Sequence, residues 1–142
     1  MKSFVDFTET ANGALIGKGV TIGLYTEIGS ETIVSSEAGI GCSTGIVNEE
    51  PTIIGFGCFI GAGSQVHNVA VGPGAILYGS VYVDNFSPII DLTKENHPTY
   101  HGKIPPGAIV MMAVHPKGFS CPHIFAYREP GESVERALKR VL

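Results

Sequence analysis

The sequence has 142 residues and a formal charge of −4, with 9 Lys and Arg against 13 Asp and Glu and no basic cluster of the kind that binds nucleic acid. Its longest apolar run, residues 108–114, is far short of a membrane span, and the first ten residues lack the apolar core of a secretory signal; a cytoplasmic protein without membrane attachment is expected. Cys42, Cys58 and Cys121 are odd in number and widely separated, which argues against a disulfide framework and against a thiolate metal pair.

Glycine accounts for 19 residues and the chain is rich in Ile and Val, a composition that points to an ordered repeat. Apolar residues fall at Ile16, Ile22, Ile28, Val34, Ile40 and Ile46, a step of six. The series resumes at Ile54, Ile60 and Val66 after an offset of two, and at Val71, Leu77, Val83 and Ile89 after a contraction of one. Two positions before each lies a small or β-branched residue: Ala14, Val20, Thr26, Thr32, Ala38 and so on to Ser87. Residues i−2 and i point the same way in an extended chain, so both rows face one interior. A helix cannot keep a step of six on one face. Short strands separated by glycine-assisted bends predict a coil with three flat walls and 18 residues per turn, stacked about 4.8 Å apart. Thirteen repeats make a little over four coils.

The interruptions follow in chain order. Asn48, Glu49, Glu50 and Pro51 form a two-residue bulge in the repeat, and such insertions usually project on a binding face. "GAGSQVHNV", residues 62–70, sets Gln65, His67 and Asn68 within four positions, and His67, which follows the inward Val66, should leave the core. Residues 91–103 are polar and read as a loop. "IPPGAIVM" looks like a last repeat leading into a strand near 108–115, with a second strand over 123–128. "PGESVERALKRVL" closes as a helix whose apolar face is Val134, Ala137, Leu138, Val141 and Leu142, expected to cover the open end of the stack. Outward apolar residues such as Phe56, Phe59 and Tyr78 predict self-association.

The six-residue step resembles the hexapeptide-repeat acyltransferases. The resemblance implies an all-β fold, a left-handed parallel β-helix with a small C-terminal strand and helix cap; the handedness comes from the resemblance and not from the spacing. The chain then forms one domain, with the β-helix over 13–90, the loop over 91–103 and the cap over 104–142. "IGSETIVSSEAGIGCSTGIVNEEPTIIGFGCFIGAGSQV" followed by "HPTYHGKIPPGAIVM" is similar to the C-terminal half of the tetrahydrodipicolinate N-succinyltransferase family. The resemblance implies a homotrimer with active sites between subunits. It also implies an acyl-CoA co-substrate carrying a succinyl or acetyl group, a small amine as acceptor, and no bound cofactor or metal. The protein's part would be to position the amine, accept a proton and stabilise the oxyanion.

The candidate residues divide by role. The family's acids fall at Gln65 and near Gly17, so His67 is the expected base, beside Gln65 as the second catalytic position. Asn68, Asn48, Glu49 and Glu50 are expected at the acceptor. Tyr100, His101 and Lys103 match the family's loop near the CoA arm; Gly79, Ser80 and Ala108 are expected along that arm by position, and Lys117 at its phosphates. The family's helical N-terminal domain is not expected within these residues, since repeats begin by about Ala14. His67, His97 and His101 invite comparison with the zinc site of γ-type carbonic anhydrases, but "HPTYH" has three residues between its histidines where those enzymes have four on a coil, so no metal is expected. Loss of both acids leaves an alternative, a non-catalytic β-helix trimer or partner subunit.

Overall fold

A computed structural model describes the backbone of residues 7–9 and all of residues 12–42 and 50–142. Strands of two or three residues stack into three parallel walls. Wall A contains β2 (Leu15–Gly17), β5 (Ile33–Val34), β8 (Phe59–Ile60), β11 (Ile76–Leu77) and β16 (Ala108–Val114). Wall B contains β3 (Thr21–Ile22), β6 (Gly39–Ile40), β9 (Gln65–Val66) and β12 (Tyr82–Val83). Wall C contains β4 (Thr26–Ile28), β7 (Thr52–Ile54), β10 (Ala70–Val71) and β15 (Lys103–Ile104). The fold is an all-β, left-handed parallel β-helix. β1 (Phe7–Glu9) pairs antiparallel with β2 at the first coil.

From Thr32 to Val83 the described members of both rows read from the sequence are buried, while Ile22, in the first coil, is 45% exposed. Val34, Ile40, Ile54, Ile60, Val66, Val71, Leu77 and Val83 are buried in one column, and each contributes roughly 1.5–3 kcal/mol through burial. The small row lines the corners. Its polar members also replace missing backbone partners: Thr32 Oγ1 accepts the Cys58 N–H (3.3 Å), Thr52 Oγ1 the Asn68 N–H (2.7 Å) and Ser64 Oγ the Val81 N–H (3.2 Å). Apart from Gly41, which is itself in left-handed backbone (φ 69°), the glycine after a large apolar residue does not serve the bend. A Cβ at Gly17, Gly29, Gly55, Gly61 or Gly72 would stand 2.5 to 2.7 Å from backbone of the next coil. The bend falls two residues later, in left-handed backbone occupied by Gly57, Gly63 and Gly74 but also by Tyr25, Glu31, Glu37 and Ser80.

Three expectations change. Ile16 lies opposite Val34, Val34 opposite Ile60, Ile60 opposite Leu77 and Leu77 opposite Val110, so successive turns take 18, 26, 17 and 33 residues. The insertion before Pro51 is therefore eight residues beyond a regular turn, not two, and β7 pairs directly with β4. Thr44 and Ile46 lie outside the described residues. The second change is at Ile89. It is buried, but it belongs to β13 (Ile89–Asp91), which pairs with β17 (Ser120–Tyr127) and with β14 (Thr99–Tyr100); β15 takes the wall C position. Asp91, fully buried, secures the excursion by accepting the Tyr127 hydroxyl (2.7 Å), the Thr93 N–H (2.9 Å) and Lys94 Nζ (3.2 Å).

The third change is the helix, α1 (Val134–Val141). It lies on the outside of wall A, where Ala137 packs on Ile76 and Ile109 with Val134, Leu138 and Val141 around them, and Phe59 is covered there. The wall offers outward apolar residues in register, and these attract the helix more than a strand edge does. Leu142 stays exposed. Ser133 caps the helix by accepting the Arg136 N–H (3.1 Å).

Candidate functional site

Wall B carries little on its outer surface. Gly39, Gln65 and Tyr82 lie side by side across three coils. The Gln65 amide rests over Gly39, where a Cβ would collide with it. Beyond the wall the coil contracts. Left-handed backbone comes three residues after Ile54 and Ile60 but two after Val66, at Asn68 (φ 58°). His67 therefore sits in the bend itself. Its side chain does not stand free at the corner: the residue is 4% exposed, covered at the corner beside Cys42 and Tyr82.

Two hydrogen bonds fix His67. Its backbone N–H donates to Val83 O (3.0 Å), and its ring Nδ1 accepts the Cys42 N–H (3.0 Å). Because Nδ1 is an acceptor, the neutral ring carries its proton on Nε2. Burial pushes the imidazole pKa down, with the nearby Asp84 carboxylate working against it. The ring stands edge-on to Tyr82, 6.0 Å between centroids.

Asn68 donates its backbone N–H to Thr52 Oγ1 and its Nδ2 to Glu50 O (2.7 Å), so Glu50 is held at the same corner. Asn48 and Glu49 lie outside the described residues. Gln65, His67, Asn68 and Glu50 are thus brought together. The other candidates are not part of this group. Tyr100 and Lys103 line a groove on the outside of wall C with Ile53, Ala70 and Pro105. Gly79 and Ser80 border a cleft at the corner between walls A and B, beside Phe59 and Leu138. His101 is exposed in the turn after β14, and His97 is exposed in the loop before it. Ala108 is fully buried. Lys117 is in the turn between β16 and β17, where its N–H donates to His115 Nδ1 (2.9 Å).

Sequence reasoning missed two residues of the corner. Tyr82 is one coil above Gln65, and its hydroxyl donates to Asp84 Oδ2 (3.2 Å). Asp84 Oδ1 accepts the Phe86 and Ser87 N–H groups (both 2.9 Å) and the Ser87 hydroxyl (3.1 Å). Carrying the 17-residue turn forward from Gln65 finds Tyr82. Gly17, the other position that aligns with a family acid, has no room for a side chain: a Cβ would lie 2.7 Å from Ser36 N.

No protein-family model matches the chain. It is 34% identical over 119 residues to the 2,3,4,5-tetrahydropyridine-2,6-dicarboxylate N-succinyltransferase of Dechloromonas aromatica, covering 82% of this chain and 43% of that protein. The proteins of the same name from Methylorubrum populi and Parvibaculum lavamentivorans are 33% and 32% identical, over 82% and 88% of this chain and 41% and 46% of theirs. The chain spans about two-fifths of the length of the curated relatives it matches. With the three-walled coil, these matches make the chain a relative of the hexapeptide-repeat acyltransferases. Within that class it is succinyltransferase-like in sequence.

Proposed function

We propose that the protein is an acyl-CoA-dependent N-acyltransferase, transferring a succinyl or acetyl group to a small amine in a reducing cytoplasm. The observation that carries this reading is the corner of walls B and C. There a buried, single-tautomer histidine stands beside Gln65, Tyr82 and Asn68, in a chain related to N-succinyltransferases.

The reaction needs charge stabilisation at the thioester oxygen while the amine attacks. His67 suits that work as a neutral Nε2–H donor, because its Nδ1 is already an acceptor. The same bond argues against the base role expected from sequence. A base needs the Nε2 lone pair, and that tautomer would turn an Nδ1–H against the Cys42 N–H. Asn68 and Glu50, with Asn48 and Glu49, are the groups proposed to meet the acceptor. The wall C groove with Tyr100 and Lys103 adjoins this corner and is the path proposed for the CoA arm. Wall A is covered by the protein's own helix. Walls B and C are therefore proposed as the surfaces that meet in a homotrimer, with the site between subunits.

A second reading, a β-helix subunit without catalysis, is favoured by Gln65 and by the absence of space at Gly17. Calorimetry and thermal melting with succinyl-CoA and acetyl-CoA separate the two, since a ligand of the folded state must raise the melting temperature. Binding of neither would leave the second reading. If transfer is found, His67→Ala should slow it by about 10²–10³-fold, the usual loss of an oxyanion donor. His67→Asn can keep an acceptor for the Cys42 N–H yet lacks Nε2; it should restore stability but not the rate. Wild-type speed in His67→Asn would leave the histidine a purely structural role.

A further inference from the structure

We propose that Tyr82 and Asp84 form a proton relay that takes the amine proton during acyl transfer; the proposal rests on the acyltransferase reading above. Gln65 cannot take a proton at neutral pH, and Gly17 has no side chain. His67 presents a donor. Among the described residues, the Tyr82–Asp84 pair is an arrangement that can accept the proton on the wall B side of this corner, opposite the Asn68–Glu50 contact.

Asp84 is held rigidly. Its Oδ1 receives three donors from Phe86 and Ser87, which leaves Oδ2 for the Tyr82 hydroxyl. Tyr82 is thereby committed as a donor to Asp84, and its oxygen lone pairs remain for an incoming N–H. Tyr82 lies on the outer surface of wall B, 43% exposed, next to Gln65 and edge-on to His67. Burial and the Asp84 carboxylate both push the phenol pKa up, so Tyr82 keeps its proton at rest. It serves as a conduit and not as a phenolate.

The step balances. A neutral amine attacks the thioester carbonyl carbon, the N–C bond forms, and the carbonyl π pair moves to oxygen, facing the His67 donor. The nitrogen's surplus proton passes to Tyr82 Oη as the Tyr82 hydroxyl proton passes to Asp84 Oδ2. The carbonyl re-forms, the C–S bond breaks, and the CoA thiolate recovers that proton by the reverse route. The products are an amide and free CoA, with Tyr82 and Asp84 as they began. Of the pair, Tyr82 touches the substrate and Asp84 acts through it.

The test uses succinyl-CoA with a panel of primary amines, following release of the CoA thiol. Tyr82→Phe keeps the ring beside His67 and removes the oxygen. It should lower kcat by about 10²–10⁴-fold, the range of general base catalysis, with succinyl-CoA binding unchanged by calorimetry. Asp84→Asn keeps the Oδ1 acceptor but points an N–H at Tyr82, and should cost about as much. The double variant should be no worse than either single one, because the two residues act as a unit. Losses that multiply in the double variant, or a Tyr82→Phe rate within threefold of wild type, overturn the relay and leave the acyltransferase reading standing. A wild-type protein that binds no acyl-CoA and releases no thiol overturns both.

Discussion

A methyl group at Gly61 would stand 2.5 Å from Gly79 N on the coil above, whereas one at Gly57 would meet nothing within 4 Å. The two glycines serve different ends. Gly57 sits in left-handed backbone (φ 66°), a conformation that Asn68 also adopts. Gly57→Asn should therefore cost less than about 1 kcal/mol, since Asn tolerates that region. Gly61→Asn should cost more, roughly 1–3 kcal/mol, because the coils must part to admit a side chain. Urea melts of both variants check the order. Thr52→Val removes the acceptor of the Asn68 N–H and should cost about 1–3 kcal/mol by leaving a donor unpaired. The glycine row was plain in the sequence, but its reason was not. A period shows that a position repeats; it does not show whose backbone passes beside it. His67 is the parallel case, since the Cys42 N–H that fixes its tautomer comes from 25 residues earlier.

At the level of elements, the C-terminal helix depends on a small ionic clasp. Arg140 Nε and Nη2 bind the two oxygens of Glu132 (both 2.8 Å), and Nη2 also donates to Tyr127 O (2.9 Å). The Arg140 hydrogen bonds hold the Glu132 carboxyl at about 2, below its usual range. A depressed carboxylate pKa contributes stability above the unfolded value, and that contribution fades as pH falls toward the folded one. Helix docking should thus weaken between about pH 4.5 and pH 2. Far-ultraviolet circular dichroism can follow this, and Arg140→Ala should move the loss to higher pH. The helix, its apolar face and the two terminal strands were legible from sequence, because each has a local period or cap. Its docking place was not. Phe59, Ile76 and Ile109 are adjacent only once the turns of 17 and 33 residues are known.

For the whole molecule, the walls differ in what remains bare. Wall A is closed by its own helix. The edge between walls B and C carries Leu24 (85% exposed), Tyr25 (82%) and Phe86 (58%), with Ile53 on wall C. If these surfaces meet as proposed, light scattering should give about three times the 14.9 kDa chain mass. Ile53→Glu should shift the protein toward monomer by placing a charge at the contact, while Leu142→Glu should leave the mass unchanged. A monomeric wild type at micromolar concentration would remove any site shared between subunits. The three-walled coil was readable from the repeat alone. Its handedness came only with the family resemblance, since spacing is blind to the direction of winding.

The unequal turns also bear on how the chain acquires its shape. Pairing between neighbouring coils spans 17 residues at Ile60–Leu77 but 33 at Leu77–Val110. Loop closure grows costlier with span, though slowly, and nearest-neighbour solenoids fold as one-dimensional ladders. The rungs from β8 to β12 should therefore order before the rung that joins β11 to β16. Pulse-labelled hydrogen exchange during refolding should find the amides of Phe59, Gln65 and His67 protected before that of Tyr78. The hydrogen bonds being timed run to Ala75, Val81 and Val83 for the first group, and to Val110 for Tyr78.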